Sequence, residues 1–179
     1  MRSICVFCGS NSGNDPGFVE VARQLGEMLA RHQLTVVYGG GRVGLMGALA
    51  DAALALGGRV VGVMPQLLLD KEVGHAGLSE LHVVTSMGQR KQLMGDLSDA
   101  FIVLPGGIGT MDELFEAWTW TQLDLHHKPC GLLNYAGYYD GLIRFVDHAV
   151  ETGFLRPRHR AALIVDSDME RLLERLSAH

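Results

Sequence analysis

Short apolar runs alternate with longer stretches in which apolar residues recur every three or four positions, and this alternation sets a strand–helix order along the chain. Strands are predicted near 3–8, 34–38, 59–64, 81–85, 100–104 and 129–133, with a last strand and helix near 162–177. Helices are predicted over 16–32, 43–57, 86–97, 110–125 and 138–151. The first of these carries Phe18, Val21, Ala22, Leu25, Met28 and Leu29 on one stripe, the pattern of a structural helix that covers one face of a sheet. The second is apolar nearly all round, with Asp51 as its lone charge, and so requires burial on more than one side. Together these elements predict an α/β fold: a single Rossmann-like doubly wound domain over residues 1–179, with a mostly parallel sheet and helices on both faces. The segment from Gln66 to Ser79 is expected to be the most mobile.

Ligands of such sheets bind beyond the carboxyl ends of the strands, and two glycine-rich turns, 39–47 and 105–110, fall at such ends. The second, Pro105-Gly106-Gly107-Ile108-Gly109-Thr110, joins the apolar run Ala100–Leu104 to a helical pattern carrying Leu114, Ala117, Trp118, Thr121 and Leu125. Glycine lets backbone approach a ligand closely, and the first N–H groups of a helix have no internal acceptor, so this turn is suited to a phosphate. Glu113 follows about one helical turn later. It reads either as a functional carboxylate or, with Asp112 and Glu116, as a complement to the helix dipole. The first glycine turn also spells a dinucleotide fingerprint, Gly39-x-Gly41-x-x-Gly44, but it follows the second strand and has no acidic residue after the next one. Neither turn carries the Lys-Ser or Lys-Thr of a triphosphate loop, which favours a monophosphate. Direct ligand contact and simple close packing both remain open for residues 39–47.

Arg90 stands out on independent grounds. It shares a helical arc with Met87, Met94 and Leu97, so a permanent charge is set into an apolar stripe. A guanidinium buried there needs a carboxylate or phosphate partner, such as Glu113 or a ligand; the alternatives are a snorkelling side chain and a structural ion pair.

Composition narrows the ligand. With 179 residues, 47% of them hydrophobic, the chain suffices for one well-cored domain, and its formal net charge of −5 offers no basic surface for a nucleic-acid polymer. No apolar run reaches membrane-spanning length and none resembles a secretory signal, so a cytoplasmic location is expected. Three cysteines make no disulfide framework; Cys5 and Cys8 lie along a strand where residues three apart face opposite sides, which points to structural roles. The scattered histidines show no zinc-ligand spacing, and no metal is expected.

The run Pro105–Glu113 matches the PGGxGTxxE signature, and the chain therefore resembles the LONELY GUY family, phosphoribohydrolases of cytokinin riboside 5′-monophosphates. The similarity extends through Phe7–Ser10, Gly39–Gly47, Met87–Lys91, Trp120–Leu123 and Lys128–Asn134, over roughly residues 2 to 156. The resemblance implies hydrolysis of an N-glycosidic bond without a cofactor, releasing free base and ribose 5-phosphate. It implies Arg90 and Glu113 as catalytic residues, and Glu72, Lys91, Gly107, Ile108, Gly109, Thr110, Met111, Asp112 and Thr119 as substrate contacts. A homodimer is implied too, consistent with the all-round apolar helix 43–57 and with Trp120 and Leu123 lying off the main stripe of the motif helix. Two alternatives stand beside this reading: a housekeeping nucleosidase for AMP or other purine 5′-monophosphates, and a non-catalytic carrier of a phosphorylated ligand.

Overall fold

In the computed structural model, which describes residues 1–69 and 74–179, seven strands form one sheet in the order β4-β3-β2-β1-β5-β6-β7, every neighbouring pair parallel. The strands are β1 (Ser3–Phe7), β2 (Thr35–Tyr38), β3 (Val60–Pro65), β4 (Glu80–Val84), β5 (Ala100–Val103), β6 (Cys130–Leu133) and β7 (Leu163–Asp166). Between them run α1 (Pro16–Arg31), α2 (Gly44–Ala55), the single turn α3 (Gln66–Leu69), α4 (Met87–Asp96), α5 (Ile108–Gln122), α6 (Asp140–Glu151) and α7 (Pro157–Ala161), and α8 (Met169–Ser177) closes the chain. The order reverses between β1 and β5, paired from Ile4–Ala100 to Phe7–Val103, and this is the doubly wound, Rossmann-like arrangement.

Two cores flank the sheet, as alternation along buried parallel strands requires. Ile4, Val6, Cys8, Val36 and Tyr38 face one side with residues of α1, α2 and α8, while Cys5, Phe7, Val37 and Phe101 face the other with residues of α4, α5 and α6. Cys5 and Cys8 thus lie in opposite cores, and both thiols are free.

Local sequence sets the helix starts that matter for the site. Ser86 caps α4 by accepting from the Gln89 N–H at 3.2 Å, while the Gln89 side chain reaches back to the Thr85 N–H at 3.0 Å, a reciprocal arrangement that fixes where Arg90 emerges. Helix α2 finds its second covering surface inside the chain: α1 crosses it so closely that a Cβ on Gly26 would stand 2.3 Å from the Leu49 carbonyl oxygen. Much of its apolar surface is therefore covered by α1 and the sheet, while Leu56 just past its end stays 49% exposed. Among the described part of the segment Gln66–Ser79, α3 is helical, and Gly74 bridges to Gly41 while the His75 N–H donates to the Gly40 carbonyl at 3.1 Å.

Candidate active site

A cavity of about 560 Å³ opens at the carboxyl end of the sheet, where the strand order reverses. One wall is the loop after β1, from Cys8 to Gly13, with Phe18 of α1. Facing it is the turn Pro105–Thr110 with Glu113 of α5, and Gly39, Leu45, Met46, Leu68, Met87, Arg90 and Tyr138 complete the lining.

Arg90 is only 6% exposed, and two backbone carbonyls hold its guanidinium. Nε donates to the Val63 oxygen at 3.1 Å and Nη2 to the Gly39 oxygen at 2.8 Å, so the ends of β2 and β3 together orient the group. Nη1 contacts the Met87 sulfur at 4.0 Å and lies 3.9 Å from Glu113 Oε1. The anticipated carboxylate partner is present, at a distance too long for a direct hydrogen bond. This anchoring also explains one glycine of the first turn, because a Cβ on Gly39 would lie 2.1 Å from Arg90 Nη2. Gly44 and Gly47 serve packing instead: Gly44 has φ +63 and a Cβ there would stand 2.3 Å from the Ser10 carbonyl, while one on Gly47 would stand 2.0 Å from the Arg42 oxygen. Of residues 39–47, then, Gly39, Leu45 and Met46 reach the cavity wall.

Burial pushes the Glu113 carboxyl up to about 7, with the nearby Arg90 charge opposing the rise and Asp112 and Glu116 adding to it. Its acidity is therefore brought to neutrality, where a single carboxyl can exist in both forms. Beside it the Cys8 thiol lines the cavity, and burial raises its pKa, so it stays neutral.

Gly107, Ile108, Gly109 and Thr110 line the cavity with Arg90 and Glu113, whereas Lys91, Met111, Asp112 and Thr119 do not. Lys91 Nζ lies 2.9 Å from Asp112 and contacts Glu116, and Met111 packs beside the core. Asp112 and Thr119, seven positions apart, sit on the exposed face of α5. Glu72 lies outside the described residues. Sequence reasoning missed Tyr138 and the loop Ser10–Gly13, and it read Phe18 as purely structural. The available signal was that this loop follows the carboxyl end of the first predicted strand, where ligands of such sheets bind.

The family described as "Possible lysine decarboxylase" matches residues 46–176. A cytokinin riboside 5′-monophosphate phosphoribohydrolase of Rhodococcoides fascians is 51% identical, the alignment covering 94% of this chain and 86% of that protein. The chain belongs to the cytokinin riboside 5′-monophosphate phosphoribohydrolase family. A member from Arabidopsis thaliana is 44% identical over 99% of this chain and 82% of its own length. Among solved structures, the molybdenum cofactor carrier protein of Chlamydomonas reinhardtii superposes with a TM-score of 0.76 over 99% of both chains at 20% identity, a likeness of fold. The phosphoribohydrolase family's lysine decarboxylase description finds no lysine in the cavity among the described residues: Lys91 is ion-paired, Lys128 donates to the Gly95 carbonyl at 2.6 Å, and Lys71 lies outside them.

Proposed function

We propose that the cavity binds a purine riboside 5′-monophosphate and that the protein hydrolyses its N-glycosidic bond, releasing free base and ribose 5-phosphate. Cytokinin riboside 5′-monophosphates are the substrates, with AMP as a second one. The observation that carries this reading is a buried arginine–carboxylate couple on the wall of the same cavity whose rim is the glycine turn.

The phosphate seats on the backbone of Gly107, Gly109 and Thr110, whose N–H groups open α5 and whose small side chains allow close approach. Binding energy gained there positions the remote anomeric carbon. As the bond to the base breaks, positive charge develops on the ribose; ionised Glu113 stabilises it and orients or deprotonates the attacking water. Arg90 stays ionised and is a poor proton donor at neutral pH. Its work is electrostatic, on Glu113 or on the departing base. No cofactor takes part. Glu72, Lys91, Ile108, Met111, Asp112 and Thr119 complete the substrate-contacting set by family correspondence.

We also infer a homodimer seated on α5, where Ile108 is 91% exposed and Leu123, capping its end, 59% exposed, the helix being otherwise buried along its inner face. Leu123→Asp is expected to yield monomers in light scattering.

Chromatography of the products formed from isopentenyladenosine 5′-monophosphate and from AMP, with Glu113→Ala as control, tests the reading. Base release from the prenylated nucleotide, lost in the variant, is expected. Faster release from AMP would move the assignment to a housekeeping nucleosidase, and tight binding without base release from either would overturn hydrolysis in favour of a carrier.

A further inference from the structure

The turn between β5 and α5 has three successive carbonyls, each held by a different donor. The Tyr139 hydroxyl donates to the Leu104 oxygen at 2.6 Å, the Gly9 N–H to the Pro105 oxygen at 3.1 Å, and the Tyr138 hydroxyl to the Gly106 oxygen at 2.6 Å. A trans peptide carries its C=O and N–H on opposite sides, so the held carbonyls of Pro105 and Gly106 fix the directions of the Gly106 and Gly107 N–H groups, while the Leu104 tie, followed by Pro105 with no N–H, anchors the start of the turn. An anion site needs that outcome: carbonyl oxygens tied away from the ligand and N–H groups left toward it.

The three ties differ in character. Tyr139 is 2% exposed and its bond belongs to the core, while the Gly9 bond joins two loops through backbone alone. Tyr138 lies at the cavity mouth, 45% exposed, and it holds the most permissive peptide of the turn. A Cβ on Gly107 would meet nothing within 4 Å, so packing does not confine the Gly106–Gly107 peptide from that side.

Tyr138 is itself held in place. Its ring stands edge-on to Phe18, with centroids 5.6 Å apart, and to Tyr139 at 4.8 Å. The chain reaches it through two consecutive left-handed residues, Ala136 at φ 51 and Gly137 at φ 72. A left-handed alanine costs about 1 kcal/mol, strain of the kind kept where surrounding structure demands it. Asn134 braces the same loop, accepting from the Tyr139 N–H and donating to Asp140, both at 2.8 Å.

We propose that Tyr138 is a positioning residue for the substrate phosphate: through the Gly106 carbonyl its hydroxyl keeps the Gly107 N–H aimed at the anion. The proposal rests on reading the glycine turn as the phosphate seat. Phe18 and the β6–α6 loop act through Tyr138, so the wall opposite the turn determines the quality of the phosphate site.

Tyr138→Phe keeps the ring and removes only the hydroxyl. Losing one such hydrogen bond is expected to raise KM for isopentenyladenosine 5′-monophosphate roughly 2- to 10-fold, with kcat nearly unchanged. Inhibition by ribose 5-phosphate is expected to weaken by the same factor, and inhibition by free isopentenyladenine to stay as in the wild type. Equal weakening toward both inhibitors would reduce Tyr138 to a purely structural role, and unchanged constants for both would show that the hydroxyl positions nothing. Wild-type enzyme assayed on isopentenyladenosine and its 5′-monophosphate keeps the two ideas apart. Equal kcat/KM on these substrates would remove the phosphate seat itself, whereas strong preference for the monophosphate with no effect in Tyr138→Phe would overturn this proposal alone.

Discussion

Replacing Glu113 with Gln separates the chemistry of this carboxyl from its cost to the fold. The side chain sits against Arg90 Nη1 at 3.9 Å, yet burial outweighs that attraction and lifts its pKa from an ordinary 4.5 to about 7. A carboxyl whose folded value is raised holds its proton more tightly in the folded state, so its stabilising contribution is full below the unfolded value and lost as pH rises through about 7. A shift of this size corresponds to ~3 kcal/mol between the two ends of that window. Glutamine keeps the shape and cannot ionise. The variant and the wild type are therefore expected to match in stability near pH 4.5, to diverge up to about pH 7, and to differ above it by ~3 kcal/mol in favour of the variant. Urea unfolding followed by Trp118 and Trp120 fluorescence, at fixed protein concentration, measures the difference while other titrations cancel. In the proposed mechanism the same carboxyl acts ionised, so wild-type kcat/KM is expected to rise with pH to a plateau above about 7, and the variant to be nearly inactive. A stability difference that stays flat across this window, or one that favours the wild type at high pH, would show the Arg90 attraction prevailing and would refute the reasoning.

Arg90→Lys keeps the charge but offers one ammonium where two carbonyls, on Gly39 and Val63, need donors; kcat/KM is expected to fall on the order of 100-fold and stability by ~2 kcal/mol, read from initial rates and melting. Gly39→Ala puts a methyl group 2.1 Å from Arg90 Nη2 and is expected to cost activity comparably while Arg90 remains in the sequence, the displaced side chain being visible in a crystal structure of the variant. Gly109→Ala meets nothing within 4 Å in the first turn of α5, so unfolding is expected to show a gain of ~0.5–1 kcal/mol while calorimetry shows weaker ribose 5-phosphate binding, because the added methyl group lies on the cavity wall.

What the chain discloses by itself follows from which forces are local. Strands announce themselves as short apolar runs, and Arg90 announces itself as a charge in an apolar arc, because both signals lie within a few residues. The anchors of Arg90 do not, since they are backbone carbonyls and carry no side-chain identity. Tyr138 is hidden for a related reason: its hydroxyl bonds to a residue 32 positions away, a contact created by β6 lying beside β5. The apolar circumference of α2 was legible as a demand for burial, but not as one met in part by α1, because Gly26 and Leu49 meet only in the folded chain. Helix α7 has five residues, too few for a periodic pattern to register. Where the structure sets family positions apart from the cavity, as with Asp112 and Thr119, helix geometry is the cause: α5 turns Thr110 and Glu113 inward and those two outward.

The couple at the centre of the site is assembled from the two halves of the sheet. Arg90 depends on the carboxyl ends of β2 and β3, on one side of the reversal, and Glu113 rides on the helix after β5, on the other. Their 3.9 Å separation is therefore fixed by the pairing of β1 with β5 and not by any local segment. The glycine turn lies within the β5–α5 connection and needs the Gly9, Tyr138 and Tyr139 ties to hold its carbonyls. The β1–β5 seam therefore carries both features, since the Gly9 N–H bond to the Pro105 carbonyl at 3.1 Å crosses it as well, and a shift there would disturb the arginine–carboxylate spacing and the glycine turn together.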